Sequence, residues 1–171
     1  MTRYAAFLRG VNVGGVNLKM AEVAAALTDA GLHNVRTVLA SGNVLLESPD
    51  DAGTVRATAE RALRQRFGYD AWVLLYEVDT VRAIVNAYPF EAEVDGYHSY
   101  VTFVTDGAVL DELCALEPGP GDNIARGDDV VYWQVPKGET LGSTIGKTMG
   151  KKRYKSSTTT RNLRTLGKVV R

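Results

Sequence analysis

The order of apolar blocks in the first eighty residues constrains the fold more than any other feature of the chain. Tyr4 to Leu8 is an uninterrupted apolar stretch of strand length. From Lys19 or Met20 to Ala30, residues Met20, Val23, Ala24 and Leu27 recur at helical spacing, and Gly31 is placed to end the helix. Val35 to Ala40 and Val44 to Glu47 are rich in β-branched and aliphatic residues and read as strands. The triplet between them, Ser41-Gly42-Asn43, has hairpin chemistry, because Gly and Asn accept the left-handed dihedrals of a tight turn. A second helix opens at Pro49-Asp50-Asp51 and runs to about Phe67, with Val55, Ala59, Ala62, Leu63 and Phe67 on one face and Gly68 after it. Ala71 to Val78 is again near-continuously apolar. The order is βαββαβ, the ferredoxin-like or split βαβ arrangement.

The second half repeats much of this plan. It predicts an Asp79-capped helix to about Tyr88, broken by Pro89, and then an acidic loop with Glu91, Glu93 and Asp95. His98 to Thr105 alternates like a strand, Gly107 to Leu116 is helical, and Pro118 to Gly121 is a loop. Asn123 to Arg126 and Val130 to Val135 read as strands joined by Gly127-Asp128-Asp129. From Leu141 onward the pattern predicts helix with a break near Lys155 to Thr159. The expected fold is α+β, made of two ferredoxin-like (βαββαβ-type) subdomains at 1–80 and 81–171, the second a variant with extra C-terminal helices.

With 45% hydrophobic and 23% charged residues, the composition is that of a soluble globular chain, not a disordered or collagenous one. No apolar run approaches the ~20 residues of a membrane span, so no membrane partner is expected. The first nine residues hold too few apolar positions for a signal-peptide core of roughly 7–15. The expected location is cytoplasmic, and a single cysteine, Cys114, agrees with a reducing compartment.

The formal net charge is zero, from 20 Lys+Arg and 20 Asp+Glu, but the charges are segregated. The last acid is Glu139; residues 140–171 carry nine bases, namely Lys147, Lys151, Lys152, Arg153, Lys155, Arg161, Arg164, Lys168 and Arg171. The first 139 residues hold 11 bases against 20 acids, a net of minus nine. Such asymmetry accompanies an anionic partner, or a basic segment folded back onto its own acidic body.

Three segments carry candidate chemistry. Gly10-Val-Asn-Val-Gly-Gly15 lies between a strand and a helix, where backbone amides and the donors Arg9, Asn12, Asn17 and Lys19 suit a phosphate or carboxylate. The same glycines also serve a plain strand-to-helix connection. In a βαββαβ sheet the exit of the first strand falls beside the start of the third, which brings Arg9 and Asn12 towards Ser41, Gly42 and Asn43; a hairpin turn with no ligand is the alternative. Lys151-Lys-Arg-Tyr-Lys155, with Arg161 and Asn162 after the threonines, is the strongest polyanion signal, set against a solvated basic face that balances the acidic body. Gly142-Ser-Thr-Ile-Gly-Lys-Thr148 has only three residues between its glycines where a phosphate loop needs four, and it follows no parallel βα unit. An amphipathic helix with Leu141, Ile145 and Met149 inward explains it. His33 and His98 form no metal-binding pair, no metal or other cofactor is expected, and Cys114 between Leu113 and Leu116 reads as core.

Phe7-Leu-Arg-Gly-Val-Asn-Val-Gly-Gly15, Lys19-Met20, Ser41-Gly-Asn-Val44, and Thr160-Arg-Asn162 followed by Thr165 together resemble the family of small bacterial proteins designated domain of unknown function 1697. The resemblance spans nearly the whole chain and implies two α+β subdomains related to the ferredoxin-like plan. It implies no activity. In the tail, Leu163-Arg164 stands where the family commonly has a Trp-Asn pair, removing an aromatic and adding a cation. The motif positions suggest a polar ligand site of Arg9, Gly10, Asn12, Gly14, Gly15, Asn17, Lys19, Ser41, Gly42 and Asn43, closed by Arg161 and Asn162.

The leading expectation is a binding module for a phosphate-bearing ligand, nucleotide or nucleic acid, using the glycine-rich loop and the basic tail of Lys151, Lys152, Arg153, Lys155, Arg161 and Asn162. The alternative is an enzyme for a small anionic substrate held by Arg9, Lys19 and Asn43. The third is a non-catalytic protein that oligomerises through its tail. Catalytic residues, ligand identity and oligomeric state are left open by the sequence.

Overall fold

A computed structural model describes residues 1–9, 18–39, 42–140 and 143–171. Among these the chain is mixed α+β, with two four-stranded antiparallel sheets and seven helices. It divides into two compact units, Met1–Arg82 with Lys168–Arg171, and Ala83–Gly167.

The first unit contains β1 (Thr2–Arg9), α1 (Met20–Asp29), β2 (His33–Val38), β3 (Asn43–Ser48), α2 (Ala52–Phe67) and β4 (Trp72–Glu77), followed without a loop by α3 (Val78–Asn86). Its strand order is β2-β3-β1-β4. Alternate residues of the strands, Tyr4, Ala6, Leu8, Val44, Leu46 and Val73, pack with Val23 and Leu27 of α1 and with Val55, Ala59 and Leu63 of α2. The ends of α2 are chemically marked. The Asp51 carboxylate accepts from the Thr54 amide (2.8 Å), and Gly68 ends the helix in the left-handed conformation with Arg64 and Arg66 in the last turn.

The second unit contains β5 (Tyr97–Val104), α4 (Gly107–Cys114), β6 (Asn123–Arg126), β7 (Val130–Pro136), α5 (Thr144–Met149), α6 (Lys152–Lys155) and β8 (Thr158–Asn162), with α7 (Leu163–Val169) directly after. Its strand order, β6-β7-β5-β8, is the same succession as in the first unit. The registers correspond too. Phe7 lies opposite Asn43 and Leu74, and Phe103 opposite Val130 and Thr159. In each case the next residue closes the turn, Leu8 N–H donating to Gly42 O (2.8 Å) and Val104 N–H to Asp129 O (3.0 Å). The first crossovers differ in length: ten residues join β1 to α1, and two join β5 to α4.

Three expectations are corrected. The polar stretch Thr158-Thr-Thr-Arg-Asn162, expected as part of a broken helical tail, is strand β8, paired antiparallel with β5 from Thr158↔Val104 to Asn162↔Tyr100. Its threonines suit a strand because β-branching favours extended backbone, and one of its hydroxyls is taken up in the sheet. The turn before β3 starts earlier than Ser41: β2 ends at Val38, Leu39 already has φ +60°, Gly42 has φ +82°, and Asn43 belongs to β3. Asp79 does not precede its helix; α3 begins at Val78, and Asp79 pairs with Arg82 within the first turn.

Candidate functional site

At the exit of β1 the register places Arg9 opposite Trp72, with Leu8 hydrogen-bonded to Gly42. The Arg9 guanidinium stands 5.1 Å from the Trp72 ring centroid, and Arg56 of α2 is 6.0 Å from the same ring. Partial burial lowers the Arg9 pKa from its ordinary value. Asn43 is almost fully buried (1% exposed), and its Nδ2 donates to Val38 O (3.0 Å), clasping the two ends of the β2–β3 turn. Lys19 is exposed ahead of α1, and its carbonyl accepts the first helical amides, from Glu22 and Val23. Of the N-terminal site expected from sequence, Arg9, Gly42 and Asn43 therefore share one end of the sheet. Gly10, Asn12, Gly14, Gly15, Asn17 and Ser41 lie outside the described residues.

Within the basic segment, Arg153, Arg161 and Arg164 have partners in the protein, while Lys168 and Arg171 are exposed. Arg153 on α6 faces Glu112 of α4 through a two-pronged pair, Nη2 to Oε1 at 2.8 Å and Nε to Oε2 at 3.2 Å. That partner raises the Arg153 pKa further. Arg164 lies 3.6 Å from Glu93. Arg161 is 8% exposed on β8; its Nη1 donates to Thr159 Oγ1 (2.7 Å) and Thr160 O (3.0 Å), and burial lowers its pKa to about 10. Asn162 accepts from the Arg164 amide (2.8 Å) at the start of α7. Arg153, Arg161 and Asn162 thus hydrogen-bond within the protein, and Arg164 forms an exposed ion pair.

The lysines differ. Lys147 on α5 and Lys151, Lys152 and Lys155 on and beside α6 are all exposed. Among the described residues none of their ammonium groups makes an ion pair or a side-chain hydrogen bond. Lys151 and Lys155 are joined by one α-turn, Lys155 N–H to Lys151 O (3.2 Å), and Lys152 is three residues from Lys155 on the same turn. Residues 140–171 hold no carboxylate side chain to offset them.

The segment is anchored from beneath. Ile145 is fully buried, and Met149 and Tyr154 pack half-buried against the core of Val104, Leu113, Trp133 and Val135. Thr158 Oγ1 donates to Tyr154 O (2.8 Å), and the Thr105 amide donates to Ser157 O (2.9 Å). The glycine of Gly146-Lys-Thr148 has a packing reason: a Cβ there would stand 1.9 Å from Thr140 O. Ser143 caps the same turn, its hydroxyl accepting from Gly146 N (3.1 Å) and donating to Thr140 O (2.8 Å). Thr144, Gly146 and Thr148 belong to a six-residue helix that Ser143 caps; Leu141 and Gly142 lie outside the described residues.

Cys114 is half-buried on α4, and burial raises its thiol pKa, which works against a nucleophilic thiolate. His33 opens β2 and His98 lies on β5 with its ring 5.9 Å from Tyr100. Among the described residues no three His, Cys, Asp or Glu side chains gather as metal ligands, and no helix is long and apolar enough to cross a membrane. A groove of about 330 Å³ lined by Met1, Thr2, Arg3, Glu77, Val78 and Asp79 lies at the end of β1 remote from Arg9.

Comparison with known proteins gives one family and one architecture. A family model described as "Protein of unknown function (DUF1697)" matches residues 1–132. Among solved structures, the chain is similar to the conserved bacterial protein SP0830 from Streptococcus pneumoniae, at 25% identity and a TM-score of 0.82, covering 99% of this chain and 97% of that one. No curated protein matches the sequence.

Proposed function

The chain belongs to the DUF1697 family, whose description assigns no activity, and we propose that it is a binding module for a phosphate-bearing ligand, nucleotide or nucleic acid, held by the lysines of α5 and α6. One observation carries this reading. Within the basic segment Arg153, Arg161 and Arg164 have partners among the protein's own acids, hydroxyls and carbonyls, whereas Lys147, Lys151, Lys152 and Lys155 on and beside α5 and α6 are exposed and make no ion pair among the described residues; Lys168 and Arg171 farther along are exposed too. Ammonium groups on flexible stems, mounted on a helix pair that is itself pinned to a packed core, suit the neutralisation of phosphate.

The glycine-rich stretch Gly10 to Gly15 enters this reading through its sequence, as the donor-rich part of a ten-residue crossover whose counterpart in the second unit needs two residues. We read both units as ferredoxin-like from their shared strand succession. The solved relative is bacterial, and a cytoplasmic setting is proposed from the single cysteine.

The test is binding of a mixed-sequence oligonucleotide and of a nucleoside triphosphate at ~50 mM salt, where counterion-driven association is strong. The wild-type chain binds at least one of them, and a Lys147→Gln, Lys151→Gln, Lys152→Gln, Lys155→Gln variant with unchanged thermal melting loses most of that affinity. Equal affinity of the two proteins, or none for either ligand, refutes the proposal.

The second reading, a small-anion enzyme site at the exit of β1, draws on the meeting of Arg9, Gly42 and Asn43 there. It predicts the converse: Arg9→Gln with Lys19→Gln abolishes anion binding, and the lysine variant retains it.

A further inference from the structure

The lysine cluster lacks most of the side chains that read a sequence or grip a single strand. Base edges are recognised chiefly by Arg, Lys, Asn and Gln through paired hydrogen bonds, and of these only lysine is free here. Residues 143–157 contain no Asn or Gln, and their one arginine, Arg153, is occupied on two prongs by Glu112. Single strands are held mainly by stacking on exposed aromatic faces. The one aromatic of the segment, Tyr154, is half-buried against the core, with Arg153 5.8 Å from its ring centroid. What remains is four point charges. Lys151, Lys152 and Lys155 share one helical turn, with Lys147 on the preceding helix. A duplex carries a phosphate charge every ~1.7 Å of axis, twice the density of a single strand, and so attracts a cluster of point charges more strongly than a single strand does.

Resting on the phosphate-ligand reading above, we propose that the ligand class is double-stranded nucleic acid, bound through its phosphate backbone without regard to sequence. Phosphate contacts of this kind position a protein on a duplex and carry no sequence information.

The experiment measures anisotropy of a labelled ~20-base-pair duplex, scrambled versions of it, and a single strand of equal length, between ~50 and ~200 mM salt. Four neutralised phosphates give a log–log salt slope of about −3.6, an affinity loss of roughly 150-fold across that range. Scrambled duplexes bind within about threefold of one another, and the single strand binds more weakly. Lys151→Gln with Lys155→Gln, checked for an unchanged melting curve, lowers the slope to about −1.8 and the loss to roughly 12-fold. A wild-type slope shallower than about −2.7, a single strand bound tighter than the duplex, or a sequence preference beyond about tenfold overturns the inference. If the duplex fails to bind while a mononucleotide or single strand binds through the same lysines, the duplex inference falls and the phosphate-ligand reading stands. If none of the three binds, both fall.

Discussion

Replacing Thr102 by valine removes one hydroxyl from the point where β8 is fastened to its sheet. Thr102 is fully buried, and its Oγ1 accepts from the Trp133 indole N–H (2.9 Å), lies 2.7 Å from Thr160 Oγ1 and 3.3 Å from Met149 Sδ. Valine has nearly the same volume but no hydroxyl, so the change removes the hydrogen bonds with little change in the space filled. The Trp133 side chain is 2% exposed and cannot turn its N–H to water. An orphaned buried donor costs about 1–3 kcal/mol, whereas the Thr160 hydroxyl, on a half-buried residue, recovers part of its loss from solvent. The expected destabilisation is therefore about 2 kcal/mol, or a fall in Tm of roughly 4–8 °C for a chain of this size. Urea unfolding of wild type, Thr102→Val, Thr160→Val and the double variant supplies the check. Thr160→Val alone costs about 1 kcal/mol or less, and the double variant costs less than the sum, because the two hydroxyls share one bond. A Thr102→Val change below about 0.5 kcal/mol, or strict additivity, would refute both the network and the placement of β8 beside β5.

Glu112→Gln releases Arg153 as a further free cation beside the four lysines. The salt dependence of polyanion binding steepens by about 0.9 per decade, read by repeating the titration at several ionic strengths. Asp51 has its pKa lowered by the backbone and side-chain hydrogen bonds from Thr54. Its folded pKa lies below the unfolded one, so its contribution is present above the ordinary carboxylate range and is lost as pH falls through the depressed value. An NMR titration that finds Asp51 titrating at or above the ordinary Asp pKa contradicts the cap.

Most of the fold was legible because its strands are apolar blocks with distinct punctuation. Val130–Val135 and Ala71–Val78 read as strands from their apolar residues, the latter ending one residue earlier, at Glu77, and Gly31 and Gly68 stand where helices end. β8 was not legible, since Thr158-Thr-Thr-Arg-Asn162 has no apolar alternation. The usable signal was three successive β-branched residues between two amphipathic stretches, and their partners on β5 are more than fifty residues away. The candidate site divided similarly. Its charge was plain in the sequence, but which cations stay free depends on Glu112 and Glu93, acids distant along the chain that engage Arg153 and Arg164. Arg161 looked like a surface cation in a polar stretch; strand alternation in β8 makes it a buried one. Asn43, which the sequence left between a ligand contact and a plain hairpin turn, donates across that turn to Val38 O.

Amide chemical-shift mapping during titration with a mixed oligonucleotide at ~50 mM salt tests the central claim most directly. The account predicts shifts concentrated at residues 144–156, around Lys147, Lys151, Lys152 and Lys155, with Ser156 and Tyr154 among the movers. Saturating shifts elsewhere with this segment unmoved would contradict it.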